Sequence, residues 1–277
     1  MTVFFYFYKM SKAKAPIGMF DSGLGGLSVL KYVSDFLPRE SFVYMGDSKY
    51  APYGKRSKDE IVLRSKCITG KLLAHGVKLI VLACNTATAA AIEELRAEWP
   101  NIPFVGMEPA VKHASLMSKS GNIGVLATYG TLQGELFRKN QKKYGPYVKI
   151  HFREGEGLVE LAENNHTNSS DAEALLTKYL QPMLDAGVDQ LVLGCTHYPL
   201  FIPLIEKITK QKIHIIDPAE AIARRTKDLL MQHRMLKITG NSTENDFYTS
   251  GDAEKFKIML ENLMPYIEKQ QVTLFNC

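Results

Sequence analysis

The sequence predicts an α/β fold built from two similar parallel-sheet α/β units, a pseudo-repeat, facing each other across a central cleft. Three observations carry that expectation. Short apolar runs alternate with helix-length segments, the pattern of parallel sheet with crossover helices. Two of those runs end alike: Leu79-Ile80-Val81-Leu82-Ala83 on Cys84-Asn85-Thr86, and Leu191-Val192-Leu193-Gly194 on Cys195-Thr196-His197. Matching landmarks also recur at nearly constant displacement, Ile17 to Ile123 by 106 residues, Cys84 to Cys195 by 111, and Glu108 to Asp217 by 109.

In chain order, residues 16–20 form an apolar run that enters the glycine-rich turn Asp21-Ser22-Gly23-Leu24-Gly25-Gly26-Leu27-Ser28, so a strand passing into a helix over 26–36 is expected. A second strand over 42–45 meets the turn-rich stretch Gly46-Asp47-Ser48-Lys49-Tyr50-Ala51-Pro52-Tyr53-Gly54, which leads to a helix over 58–75. A strand over 79–83 delivers Cys84, with a helix over 88–99 behind it. Strands over 104–106 and 122–126 follow, then a helix over 133–144, a strand over 148–152 and a helix over 170–186. The strand over 190–194 delivers Cys195, and a helix over 199–209 and a strand over 213–216 complete the series.

The 277 residues are 45% hydrophobic and 23% charged, the balance of a soluble globular chain with a substantial core. A net charge of +5 from scattered basic residues lacks the dense stripe of a nucleic-acid surface. No run approaches the roughly 18 apolar residues of a membrane span. Cys67, Cys84, Cys195 and Cys277 are too few and too far apart for a disulfide framework, and they read as free thiols in a reducing cytoplasm. At the start, Val3-Phe4-Phe5-Tyr6-Phe7-Tyr8 precedes Lys9, Lys12 and Lys14, the reverse of a secretory signal. Residues 1–14 are read as an N-terminal extension, with Met10 as the effective start.

Open parallel sheets bind ligands beyond the carboxyl ends of their strands, so two facing units would set Cys84 and Cys195 across one cleft. Opposed thiols suit inversion of a stereocentre in an amino acid: a thiolate removes the α-proton while a thiol returns one from behind. A free thiol, with pKa about 8.5, is only slightly ionised at neutral pH. A helix start after each cysteine would favour the thiolate and offer N–H groups to a carboxylate. Asn85, Thr86, Thr88 and Thr196 add side-chain donors there. His197 could orient or protonate Cys195, or simply bond the helix start. Asp21 could hold an ammonium or tune Cys84, or cap the next helix, with Ser22 donating to a carboxylate. Tyr53 and Gly54 could lid the cleft and supply backbone donors, or belong to a plain surface loop.

The glycine turn with Asp47 gives a partial dinucleotide match. It is set aside because Ser28 stands at the third glycine and Asp21 would face the pyrophosphate. The glycines suit close backbone approach to a small ligand instead. Cys195-x-His197 is the only close Cys/His pair, so no metal site is expected.

Phe20-Asp21-Ser22-Gly23 through Gly26-Leu27, Gly46-Asp47 with Pro52-Tyr53-Gly54, Ala83-Cys84-Asn85-Thr86-Ala87-Thr88 and Leu193-Gly194-Cys195-Thr196-His197-Tyr198-Pro199 together resemble the glutamate racemases of the aspartate/glutamate racemase superfamily. The resemblance runs over about residues 16–265, with weaker echoes in Glu108-Pro109-Ala110 and Thr249-Ser250-Gly251. It implies a cofactor-independent, two-base racemisation of L- and D-glutamate that supplies D-glutamate for peptidoglycan. Cys84 would act on D-glutamate and Cys195 on L-glutamate, aided by Asp21, His197 and a supporting glutamate at Glu163 or Glu160. Substrate contacts would come from Asp21, Ser22, Tyr53, Gly54, Asn85, Thr86, Thr196 and His197. The family fold also implies discontinuous domains, 15–112 plus about 217–265 and 113–216, and a cytoplasmic homodimer with no nucleic-acid or membrane partner. Two rivals stand beside this reading. An aspartate racemase differs by one methylene of substrate, with His197 and Tyr198 favouring glutamate; a non-catalytic amino-acid-binding module would also present two lobes around a cleft.

Overall fold

The computed structural model describes residues 13–240, 245–267 and 271–277. The extension reading for residues 1–12 lies outside the described residues. Two sheets, each parallel throughout, form the framework. The first contains β1 (Ile17–Asp21), β2 (Phe42–Gly46), β3 (Leu79–Leu82) and β4 (Phe104–Gly106), extended by β9 (Asp246–Thr249) and β10 (Val272–Leu274) in the order β10-β9-β2-β1-β3-β4. The second contains β5 (Asn122–Ala127), β6 (Lys149–Glu154), β7 (Gln190–Gly194) and β8 (His214–Ile216) in the order β6-β5-β7-β8.

Central strands are apolar on both sides because helices cover both faces of a parallel sheet. β1, β2, β3 and β7 are buried at every position, whereas the edge strand β6 is half-buried or exposed throughout. One core lies on each face of each sheet. Leu27, Leu30, Met19 and Val81 pack with Ile222 and Leu230 on one face of the first, and Phe20, Ile68, Leu82 and Ile92 on the other. The second sheet is covered by Leu126, Leu176, Leu193 and Ile205 on one side and by Val125, Phe137 and Val192 on the other.

The expected strands form where the sequence places them, within two residues at each end. The helix over 26–36 forms as expected. The helix expected from 88 starts at Asn85, because Cys84 itself caps it: Sγ accepts the Ala87 N–H at 3.3 Å. The helix expected over 133–144 is two helices, Tyr129–Gln133 and Glu135–Tyr144, broken at Gly134, whose backbone is extended. The segment 199–209 begins as a tight turn over Tyr198–Phe201 before the α-helix Ile202–Thr209.

The sequence reading missed the helices Val111–Met117, Leu158–Glu163, Ala219–Gln232 and Ala253–Leu263 together with β9 and β10. β9 and β10 are four and three residues long, too short to show a period, and extend the sheet beyond β2. Cys67 and Cys277, expected as free thiols, are joined in a disulfide. β10 returns the C-terminus to the helix Lys58–Ala74 and brings the two Cα atoms to 5.8 Å, across a sequence separation of 210 that no spacing argument could bridge. Cys84 and Cys195 remain free. Among the described residues no helix is long and apolar enough to cross a membrane.

Candidate active site

Four strand ends supply the centre of the site. β1 ends at Asp21 and Ser22, β3 leads into Cys84, β5 leads into Thr128 and β7 leads into Cys195. These are the carboxyl ends of adjacent parallel strands, where such sheets leave a crevice. One narrow cavity, about 10 Å³, is lined by Cys84 and Cys195 together with Ser22, Tyr53, Gly54, Asn85, Thr86, Thr128, Thr196 and His197. Both thiols are buried, with 4% and 7% of their surface exposed, yet both reach this cavity rather than being sealed in the apolar cores. A larger groove, about 410 Å³, opens beside Ser48, Lys49, Glu163 and Lys255 and contains neither thiol.

The two thiols sit in different chemical settings. Cys84 is the N-cap of the helix Asn85–Glu98, and its Sγ also lies 3.5 Å from the Ser22 hydroxyl. Burial first, and the Asp21 carboxylate second, push the Cys84 thiol well above its ordinary range despite those hydrogen bonds. At Cys195 no helix begins directly; a turn follows, closed by the Tyr198 N–H donating to the Cys195 carbonyl at 3.1 Å. His197 takes over the supporting role, with Nδ1 3.7 Å from the Cys195 sulfur and Nε2 2.6 Å from Glu163 Oε1. Burial disfavours the imidazolium, but the hydrogen bonds to Cys195 and Glu163 outweigh it and hold the His197 pKa well above the usual histidine range. As an imidazolium, His197 would donate from Nδ1 toward Cys195 and from Nε2 to Glu163, whereas the Gly25 N–H, 3.1 Å from Nε2, finds an acceptor there only on the neutral ring.

Glu163 also accepts the Leu24 N–H at 2.6 Å, so it ties the second half of the molecule to the glycine turn of the first. Glu160, its alternative, points elsewhere and pairs with Lys55 at 2.7 Å on the exposed rim. The turn needs glycine for these visits. A Cβ on Gly25 would stand 2.5 Å from His197 Nδ1, and one on Gly23 would collide with Glu163 Oε1. Side chains of the other half thus pack closely on this turn.

Asp21 reaches the start of the helix Gly26–Phe36. Its carboxylate is fully buried, accepts the N–H groups of Gly26 at 2.8 Å and Gly23 at 3.3 Å, and receives the Thr196 hydroxyl at 3.4 Å. It stands behind the cavity wall rather than on it, as does Glu163. Burial chiefly raises the Asp21 pKa, against the opposing pull of His197. Asn85 is only 3% exposed, and neither its Nδ2 nor its Oδ1 has a partner among the described residues. A buried amide with both ends open, on a cavity wall, is prepared for a polar ligand.

Two expected contributors face away. Thr88 accepts the Met107 N–H at 3.0 Å and serves the neighbouring strand, because it lies one turn further along its helix than the cavity reaches. Tyr198 is fully buried in the core of the second sheet and donates to the Gly155 carbonyl at 3.1 Å, so it cannot discriminate substrates by contact. Thr128 was missed, although the repeat contains the signal. The displacement that carries Ile17 to Ile123 carries Ser22 to Thr128, and Thr128 lies 2.8 Å from the Thr86 hydroxyl across the cavity.

The model of the Asp/Glu/Hydantoin racemase family matches residues 28–226. The chain belongs to that family. The racemase is similar to a glutamate racemase of Ectopseudomonas mendocina, with 42% identity over 266 residues, 96% of this chain and 100% of that one. Among solved structures it resembles a glutamate racemase isoform from Bacillus anthracis, with TM-score 0.83, 32% identity, 95% of this chain and 97% of that one. It also resembles the glutamate racemase of Francisella tularensis solved with D-glutamate, at TM-score 0.83 and 28% identity, over 95% of this chain and 98% of that one. The racemase is thus an isomerase acting on amino acids, and the reading as a non-catalytic binding module falls away.

Proposed function

We propose that this racemase interconverts L- and D-glutamate by proton transfer between two opposed thiols. The observation that carries the reading is the single cavity lined by both Cys84 and Cys195. With L-glutamate bound, the Cys195 thiolate takes the α-proton, and the electron pair stays on the α-carbon as a carbanion. The Cys84 thiol then gives its proton to the opposite face. D-Glutamate leaves behind a Cys84 thiolate and a Cys195 thiol, the state that runs the reverse reaction. Every step moves a proton and none changes an oxidation state, so no redox partner enters.

The asymmetric surroundings suit those starting states. A histidine nitrogen 3.7 Å from Cys195 is the partner a thiolate needs, while burial beside Asp21 raises the Cys84 pKa and favours its thiol in the resting state. Neutral donors on the wall, Ser22, Asn85, Thr86 and Thr196, together with the start of the helix Asn85–Glu98, serve the substrate carboxylates. The product would supply D-glutamate for peptidoglycan. We assign residues 15–112 plus about 217–265 to one domain and 113–216 to the other, and expect a cytoplasmic homodimer.

The test is chiral chromatography of products from L-glutamate and L-aspartate in deuterated water, with Cys84→Ala and Cys195→Ala alongside. Racemisation of glutamate with solvent deuterium at the α-carbon is expected, and neither variant should turn over. Substantial turnover by either variant would rule out the two-thiol mechanism, and preference for aspartate would move the substrate assignment.

A further inference from the structure

Asp47 stands at the end of β2, fully buried, and is absent from the wall of the thiol cavity. Both of its oxygens are nevertheless engaged. Oδ1 accepts from Arg64 Nη2 at 2.7 Å and from Ser250 Oγ at 2.6 Å. Oδ2 accepts from the Tyr53 hydroxyl at 2.6 Å and from Arg64 Nε. Four donors fill the acceptor sites of a carboxylate, so Asp47 has no capacity left for a ligand of its own. Its work must pass through the groups it holds, and one of those, Tyr53, lines the cavity.

We propose that Asp47 is a positioning residue for glutamate binding: by gripping the Tyr53 hydroxyl it fixes the Tyr53–Gly54 turn against the cavity. The inference rests on the glutamate reading above. The grip is rigid because its own anchor is rigid. Arg64 binds Asp47 in two-pronged fashion from the helix Lys58–Ala74, and its guanidinium lies 3.2 Å from the centre of the Tyr50 ring. Arg64 also neutralises a carboxylate that would otherwise repel the carboxylates of a substrate nearby. Burial and the Asp47 charge both raise the Tyr53 pKa well above the ordinary phenol range, so the hydroxyl remains a donor. The turn it holds is a wall shared by both halves. A Cβ on Gly54 would stand 3.1 Å from Thr128, and Lys55 reaches Glu160 at 2.7 Å. Where this turn sits therefore sets the width of the cavity.

Asp47 and the Tyr53 hydroxyl touch neither thiol, so they support bound substrate alike in ground state and transition state. Losing them raises KM and leaves kcat largely intact. The experiment is steady-state kinetics in both directions for Asp47→Asn, Tyr53→Phe and the double variant, with folding checked by circular dichroism. Tyr53→Phe keeps the ring and removes only the donor. Each single variant is expected to raise KM about tenfold, the effect of one hydrogen bond to a charged group, with kcat within about threefold. The double variant should be no worse than the worse single one, because both changes break the same bond. An unchanged KM in Tyr53→Phe, single effects that multiply in the double variant, or a fall in kcat at constant KM would each overturn the proposal. If Asp47→Asn does not fold, Tyr53→Phe decides alone. Wild-type protein that does not turn over glutamate refutes the glutamate reading and this proposal with it; an active wild type whose Tyr53→Phe variant keeps its KM refutes this proposal only.

Discussion

Replacing His197 with asparagine isolates the one basic side chain among the described residues that line the cavity. The substitution removes the imidazolium 3.7 Å from Cys195 and leaves Glu163, whose side chain is 17% exposed, with the Leu24 N–H as its remaining partner. A hydrogen bond to a charged group contributes about 1.5–3 kcal/mol. At about 1.4 kcal/mol per factor of ten, kcat/KM should fall about ten- to a hundredfold. The fall must be equal in both directions, because the equilibrium constant between enantiomers is one. Asymmetry can appear only in which proton transfer limits the rate. His197→Asn raises the barrier at Cys195, so the primary isotope effect on kcat/KM should grow with α-deuterated L-glutamate and shrink with α-deuterated D-glutamate. Circular dichroism at early times measures both. Isotope effects that stay as in the wild type, or a loss smaller than about threefold, would refute the assignment of His197 to Cys195.

Three other outcomes follow from the geometry. Gly25→Ala forces a methyl to within 2.5 Å of the His197 ring, so it should lower kcat/KM in the same way as His197→Asn while leaving both thiols in place; wild-type kinetics would show that the ring is free to move. The raised His197 pKa predicts a stability that depends on pH, because the folded state holds its proton more tightly than the unfolded chain. That contribution is complete below about pH 6.5 and disappears as pH rises through the folded pKa, so denaturation of wild type and His197→Asn should converge with rising pH; a constant gap would contradict it. Reduction of Cys67–Cys277 opens a cross-link between residues 210 apart, and should cost about 2–4 kcal/mol in a denaturant titration without altering racemisation, since neither cysteine reaches the cavity. Loss of activity on reduction would show that the C-terminus does more than tether the chain.

The sequence alone was enough to place both thiols at strand ends, because each apolar run and its polar terminus are neighbours in the chain. Local pattern also marked the glycine turn and nine of the cavity residues. It failed where a residue's direction depends on a partner far along the chain. Ser22 and Asp21 are adjacent, yet one faces the cavity and the other lies behind its wall, where it receives the Thr196 hydroxyl from the other half. Tyr198 follows His197 but lies in the core behind it.

Composition and spacing thus determined the α/β class, the repeat, and the pair of sulfur atoms on which the proposed chemistry depends. Tertiary structure alone decided that Glu163 rather than Glu160 meets His197, that Cys277 returns to Cys67, and that Asp47 is spent on Arg64 and Tyr53. The physical reason is range. Hydrophobic periodicity acts over a few residues, whereas these contacts join segments of separate sheets and helices, and only the packing of one against the other fixes which polar groups meet.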